Sequence, residues 1–192
     1  MVFLQVWGGA FYLLNKIFLS FAERSEGDTK KKWRVWSWVV YLIGLPAVVL
    51  MLALKHNWIF SALEVGGAPA MVLGLLIALR DRGSEPKWLN RFAFVTIVVG
   101  LGYSVYDFGG MTTLGQWLEV GAVVGFLIGT YRLAKEHADG YLWYILMSAS
   151  AGLLFVFEDL RWFALQQLAS LLFIVDAYFT WRRKRNPTTE IP

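Results

Sequence analysis

Four polar side chains lie inside long apolar runs of this sequence rather than at their ends. Glu119, Gln166, Gln167 and Asp176 are two carboxylates and two carboxamides. A carboxylate at the centre of a membrane helix costs about 2.5–3.5 kcal/mol, so such groups usually face a bundle interior or a cavity. Together they offer acceptors and donors for the hydroxyl and amide groups of a small polar solute. These four residues are therefore candidates for the lining of a solute pathway.

Aromatic side chains add a second set of candidates. Trp38 and Trp143 lie inside apolar runs, Tyr41 lies deep in its run, and Tyr106 lies near the outer end of another. A flat aromatic ligand would stack on one or two of these rings. The alternative is that they belong to the interfacial belts, where most membrane Trp and Tyr residues are found.

Several charged residues allow a structural interpretation as well as a functional one. Lys16 and Asp176 both lie toward the same side of the membrane and could pair with each other. Alternatively, Lys16 extends to the headgroups and Asp176 forms a structural ion pair. For Glu64 and Asp107, which lie closer to the other surface, the sequence favours an interfacial position.

The composition predicts an all-α polytopic membrane protein. The chain has 192 residues, of which 57% are hydrophobic and 17% charged, whereas soluble domains carry about 25% charged residues. A membrane span needs about 20 mainly apolar residues, and seven such spans can be drawn. They cover about 2–22, 33–54, 58–79, 88–109, 114–133, 141–157 and 160–181.

The same composition argues against several function classes. Cysteine is absent, which excludes disulfides, thiol chemistry and Cys-ligated metals. His56 and His137 fall on separate loops, so an intramembrane enzyme would lack both a nucleophile and a metal site. The last span has Asp176 where a retinal protein needs a lysine. The net charge of +4 does not indicate nucleic acid, because in a membrane protein the distribution of charge matters more. We expect no cofactor and no enzymatic activity.

Basic residues give the predicted orientation. Lys and Arg cluster in alternate breaks between the spans and in the tail, while the opposite breaks hold only Lys55 and Arg161. Cytoplasmic loops carry an excess of Lys and Arg. The sequence therefore predicts an outside N-terminus and a cytoplasmic C-terminus.

An internal repeat is the final organising feature. Trp38 and Trp58 are spaced almost as Trp143 and Trp162 are, with a short polar break before the second Trp each time. Four spans separate the equivalents, so the halves would be parallel repeats about an axis along the membrane normal. Chance similarity between Trp-rich helices is the alternative. The prediction is one transmembrane domain, residues 1–192, divided into a first repeat (1–80), a linker helix (88–110), a second repeat (114–182) and a tail (183–192).

A set of motifs between residues 115 and 185 is more distinctive. It consists of Leu118-Glu119, Gly121 and Gly125, then Trp143, then Ala164-Leu165-Gln166-Gln167, and finally Tyr178 and Trp181-Arg182-Arg183-Lys184. This set resembles the PnuC-type vitamin transporters, which pass nicotinamide riboside or, in related members, thiamine or other vitamins. Over residues 1–110 the similarity is mainly one of topology. The chain departs from the family near Asp176-Ala177, where the family has a glycine.

The resemblance implies a fold and a function. It implies seven helices in a SWEET-like 3+1+3 arrangement, with the substrate between the halves, and it supports Glu119, Trp143 and Gln166 or Gln167 as pathway residues. It also implies facilitated diffusion, trapping of the substrate by a cytoplasmic kinase, and assembly as a homotrimer. Transport of another vitamin such as thiamine, or a membrane subunit that transports nothing, are the alternatives.

Overall fold

The computed structural model describes residues 2–54, 58–80, 86–107, 114–157 and 161–185, and this part of the chain contains seven α-helices and no strand. The helices are α1 (Val2–Arg24), α2 (Gly27–Leu54), α3 (Trp58–Arg80), α4 (Lys87–Asp107), α5 (Leu114–Ala134), α6 (Gly140–Phe157) and α7 (Arg161–Arg185). The seven predicted helices are confirmed.

Two helices are longer than their predicted spans. The apolar part of the second span begins near residue 33, but α2 begins at Gly27, and α7 continues to Arg185. Lys and Arg are good helix formers, so the helix continues where the apolar stretch does not. Gly27 has a φ of 54°, a left-handed conformation that glycine adopts without strain. It allows the short turn between α1 and α2.

Six of the helices form a ring. Going around it, α1 packs against α2, α2 against α3, α3 against α5, α5 against α6, α6 against α7, and α7 against α1. The remaining helix, α4, packs mainly against α3 and α5. The chain therefore follows the ring in sequence order, with α4 beside the point where the third helix meets the fifth.

The outer surface of the bundle is strongly apolar. Large hydrophobic side chains are exposed on every helix, among them Leu50, Trp88, Leu153 and Leu172. Soluble monomers rarely expose large continuous apolar surfaces. Four of the described helices, α2, α5, α6 and α7, are long and apolar enough to cross a membrane. These features are compatible with a membrane location.

Glycine brings α5 and α6 into close contact. A Cβ atom at Gly125 would lie 2.5 Å from the carbonyl oxygen of Trp143 and 2.6 Å from the backbone nitrogen of Met147. Only a hydrogen atom fits there, because the backbone of α6 occupies the space. Small residues of this kind let membrane helices approach closely, and here they fix the wall that α5 and α6 share.

Candidate functional site

A cavity of about 190 Å³ lies inside the ring of six helices. A buried water needs only about 10–15 Å³, so the space is large enough for a small molecule. Its described lining residues come from all six ring helices and none from α4. The polar or aromatic members of the lining are Tyr12, Lys16, Tyr41, Glu64, Phe126, Phe155, Phe163, Gln166, Gln167 and Ser170.

One face of α1 carries much of the polar lining. Gly9, Tyr12 and Lys16 line the cavity and follow one another at spacings of three and four residues. Residues so spaced lie on one side of an α-helix. The same face continues beyond the cavity through the buried residues Ser20 and Glu23. The sequence of α1 thus directs a row of polar groups along the axis of the bundle.

Lys16 is the buried cation of the cavity. Its side chain is only 2% exposed, and its Nζ donates a hydrogen bond to Oδ1 of Asn15 at 2.9 Å. The ammonium also lies over two rings, 3.7 Å from the centroid of Tyr144 and 4.5 Å from that of Tyr41. Cation–π contacts of this kind stabilise a desolvated cation by about 2 kcal/mol. The Lys16 ammonium of α1 is therefore positioned by the rings of Tyr41 on α2 and Tyr144 on α6.

Glu64 is the carboxylate of the cavity. The hydroxyl of Tyr12 donates to its Oε2 at 2.7 Å, which joins α1 to α3. The ring of Tyr12 packs edge-on against that of Tyr41, with 4.6 Å between centroids. Glu64 thus has a fixed position in the wall and still presents acceptor capacity, because a carboxylate has about four lone-pair sites.

The tandem glutamines have different environments. Nε2 of Gln166 donates to Oγ of Ser170 at 3.1 Å, one turn further along α7. Oε1 of Gln167 is buried and has no hydrogen-bond partner among the residues that the structure describes. A buried acceptor without a partner costs about 1–3 kcal/mol. Gln167 therefore offers the cavity an acceptor that a donor on a ligand, or an ordered water, would satisfy.

A second polar cluster lies at the basic end of the bundle, the end where α1 reaches Arg24 and α7 reaches Arg185. Glu23 is 1% exposed and accepts from Lys30 at 3.0 Å, from Arg34 at 2.9 Å and from the Tyr141 hydroxyl at 2.9 Å. Arg34 also pairs with Glu136 at 3.1 Å. We call Glu23, Lys30, Arg34, Glu136 and Tyr141 the basic-end cluster.

The electrostatics of the basic-end cluster favour a charged Glu23. The residue lies just beyond the apolar stretch of α1. Burial alone would raise its pKa, but Arg34 and Lys30 outweigh burial and lower the pKa of Glu23 below the usual glutamate value. The cluster connects α1, α2 and α6 through charged hydrogen bonds, so it holds these three helices together at the basic end.

Asp176 also lies at the basic end. Its Oδ1 pairs with Arg24 at 2.5 Å, and its Oδ2 accepts from Ser20. It does not pair with Lys16, and Lys16 does not extend to the membrane surface. The reason is depth: Ser20 and Arg24 lie one and two turns beyond Lys16 on α1, which is about 6 and 12 Å along the axis.

The other predicted site residues are distributed unevenly. Tyr41, Gln166 and Gln167 line the cavity. Trp38 is buried behind Tyr41, with its ring stacked at 6.4 Å, and Glu119 and Trp143 are not among the described lining residues. The side chain of Tyr106 lies outside the residues whose side chains the structure describes, as does that of Asp107.

Three lining residues were not expected there. The sequence predicts an interfacial Glu64 and a Lys16 that either pairs with Asp176 or reaches the headgroups, and it does not single out Tyr12. The signal that identifies them is the 3–4 spacing of Gly9, Tyr12 and Lys16, continued by Ser20, within an otherwise apolar helix. Polar residues repeating at helical spacing share one face, and that face avoids lipid.

The lining offers several kinds of contact to a small molecule. In the described part of the chain, no group of three His, Cys, Asp or Glu residues is placed to hold a metal. What the cavity offers is one cation, one carboxylate, two carboxamides and a wall of rings. No protein-family model, curated protein or solved structure matches this chain.

Proposed function

We propose that this protein is a membrane transporter that carries a small vitamin-like molecule by facilitated diffusion. The observation that supports it most directly is the polar and aromatic cavity inside the ring of six helices. A cavity bounded by several membrane helices and lined by paired donors, acceptors and rings suits a solute in transit. Buried ionisable groups in membrane segments are characteristic of such pathways.

The contacts between helices support a division into two parallel halves joined by a linker. In this proposal α1–α3 and α5–α7 are the three-helix repeats and α4 is the linker, the 3+1+3 arrangement that the PnuC resemblance implies. Each contact in one half has a counterpart in the other: α1 with α2 and α5 with α6, then α2 with α3 and α6 with α7. The two junctions, α3 with α5 and α7 with α1, are also equivalent.

The orientation follows from the distribution of charge. With the basic end in the cytoplasm of a bacterial cell, all seven helices cross the inner membrane and the N-terminus is outside. The basic-end cluster then lies on the cytoplasmic side of the cavity. We propose that it acts as an inner gate. The Tyr141 hydrogen bond to Glu23 connects α6 to α1, and the Arg34–Glu136 ion pair connects α2 to the turn between α5 and α6, so both contacts join the two halves. Rocking of the halves about the central site would open it.

The resemblance to PnuC-type transporters makes nicotinamide riboside the first candidate substrate and thiamine the second. The lining rings suit an aromatic substrate, and Glu64 and the carboxamides suit its hydroxyl and amide groups. A cytoplasmic kinase that phosphorylates the entering molecule would make uptake unidirectional. A homotrimer is the assembly that the same resemblance suggests.

The test is uptake by liposomes that contain the purified full-length protein. We expect saturable entry of labelled nicotinamide riboside or thiamine that needs no ion gradient and is accelerated by unlabelled substrate inside. The matched variants are Gln167→Leu, which removes a lining acceptor, and Trp88→Leu, which changes an exposed residue of α4. Gln167→Leu should slow entry and Trp88→Leu should not. Entry no faster than in protein-free liposomes for every vitamin and nucleoside offered would refute the proposal.

A further inference from the structure

We propose that the cavity selects a ligand that carries a carboxylate, which binds the Lys16 ammonium, and a hydrogen-bond donor, which binds Glu64 or Gln167. This inference rests on the proposed transport function and names the substrate class more closely. It differs from the expectation of a pyridine nucleoside, because nicotinamide riboside is a cation without a carboxylate.

Lys16 has no direct ion-pair partner in the described part of the chain. An ammonium has three N–H donors, and Asn15 accepts one of them. The rings of Tyr41 and Tyr144 surround the group, but a ring face is not an anion. Among the described residues, no carboxylate lies within 4.0 Å of Lys16 Nζ. Glu64 lines the same cavity but makes no direct ion pair with Lys16 among the described residues. A ligand carboxylate would therefore give the ammonium the direct contact that stabilises a buried charge.

The opposite requirement comes from the acceptors. Glu64 already receives the Tyr12 hydroxyl and retains further lone pairs, while Oε1 of Gln167 has no hydrogen-bond partner within the described residues. Acceptors without donors select a group that donates, such as an amine or an amide N–H. The lining is therefore complementary to a ligand with an anionic group at Lys16 and a hydrogen-bond donor at Glu64 and Gln167.

The volume of the cavity limits the size of the ligand. An apolar cavity of about 150 Å³ binds benzene, so about 190 Å³ holds one ring with small substituents. The aromatic wall residues Phe126, Phe155 and Phe163 suit such a ring. The predicted ligand is a single-ring carboxylate with an amine or similar donor.

The experiment compares matched pairs of probes in which a carboxylate is replaced by a neutral carboxamide. The pairs are 4-aminobenzoate with 4-aminobenzamide and 3-aminobenzoate with 3-aminobenzamide, titrated into the full-length protein in detergent. In at least one pair we expect the carboxylate to bind about tenfold tighter, the effect of one good charge-assisted contact. Equal or tighter binding of the carboxamide in both pairs, or no binding of any probe, would overturn the inference.

Variants of Lys16 test whether this residue causes the preference for the carboxylate probe. Lys16→Met keeps the length of the side chain without its charge and should reduce the preference to less than about twofold. Lys16→Arg, which keeps the charge, and the control Trp88→Leu, which lies on α4 away from the cavity, should retain it. A preference that survives in Lys16→Met would place the carboxylate elsewhere and overturn the assignment. The wild-type comparison needs no variant, so it decides the question even if Lys16→Met does not fold. Uptake of nicotinamide riboside or thiamine without carboxylate preference would overturn this inference and leave the transport proposal standing.

Discussion

Single side chains determine the chemistry of the cavity, and Tyr12 shows how. Its hydroxyl bonds to Glu64 at 2.7 Å, so it fixes the direction of the carboxylate that a ligand would meet. Tyr131 makes a comparable bond to Oδ1 of Asn90 at 3.0 Å, between α5 and α4 and away from the cavity. The two tyrosines make the same type of contact, but only one of them is part of the site.

Replacing each tyrosine by phenylalanine therefore separates function from stability. Both variants lose a partly buried hydrogen bond, which costs about 1–2 kcal/mol, measurable by thermal denaturation in detergent. Only Tyr12→Phe should also weaken ligand binding or uptake, because it releases Glu64. Equal losses of uptake in Tyr12→Phe and Tyr131→Phe, at matched amounts of folded protein, would contradict a role for Tyr12 in the site.

Neutralising either of two acidic residues at the basic end, Glu23 or Asp176, should lower the free energy of unfolding by very different amounts. Glu23 is 1% exposed and has three partners, whereas the Asp176 and Arg24 side chains are 31% and 60% exposed. Removing one member of a buried ion pair costs about 3 kcal/mol or more, whereas exposed pairs contribute about 0–1 kcal/mol. Chemical denaturation should show Glu23→Gln far less stable than Asp176→Asn. The reverse order would mean that the basic-end cluster does not stabilise the bundle.

The lowered pKa of Glu23 also predicts a dependence on pH. A carboxyl group whose pKa is lower in the folded protein contributes stability above its unfolded-state pKa, and loses that contribution as the pH falls through the folded-state pKa. Acidification should therefore destabilise the wild type more steeply than Glu23→Gln. Identical slopes of unfolding free energy against pH in the two proteins would show that Glu23 has no shifted pKa.

At the scale of helices, packing between α5 and α6 depends on the absence of a side chain. Gly125→Ala would place a Cβ 2.5 Å from a backbone oxygen, so the helices must separate, at a cost of about 1–3 kcal/mol. At Gly66 nothing lies within 4 Å of the added Cβ, and Gly66→Ala should gain stability, up to about 1 kcal/mol, from helix propensity. Melting temperatures should shift in opposite directions, and a tolerated Gly125→Ala would contradict the close contact.

Hydropathy predicts the helices better than it predicts the site. Seven apolar runs were enough to find seven helices, because each run is long and each break is polar. The rotation of a helix about its axis depends on its neighbours, so the sequence predicts less well which side chains face the cavity. Gln166 and Gln167 face the cavity, but Trp143 turns toward the α5 glycines, with its Cβ 3.2 Å from the position that a Cβ at Gly129 would occupy. The depth of Lys16 along α1 can be predicted from the sequence. The direction in which its side chain points depends on the neighbouring helices, which the sequence does not show.

At the scale of the whole molecule, the proposed mechanism requires the halves to move against each other. Ser20 and Asp176 are hydrogen-bonded across the α1–α7 junction, between the proposed halves. Phe11 and Gly44 lie within one half, where a Cβ at Gly44 would be 2.8 Å from that of Phe11. Because the chain has no cysteine of its own, paired cysteines can be introduced at either location without background.

Oxidation of the two cysteine pairs should then have different effects on uptake. A disulfide in Ser20→Cys/Asp176→Cys should stop transport, and reduction should restore it, because the junction can no longer open. A disulfide in Phe11→Cys/Gly44→Cys should leave most of the activity. Full uptake with the junction fully cross-linked would exclude rocking of the halves.

The position of α4 has a consequence for how the chain can change over evolutionary time. It supplies none of the described cavity wall, packs mainly against two neighbours, and exposes Trp88, Phe92, Val95 and Val99. Selection on these positions acts only through apolarity, so we expect them to exchange freely among Leu, Ile, Val and Phe. The inward face of α1 has no such freedom. A mutational scan should therefore show that the exposed positions of α4 tolerate apolar substitutions, whereas the inward-facing positions of α1 do not.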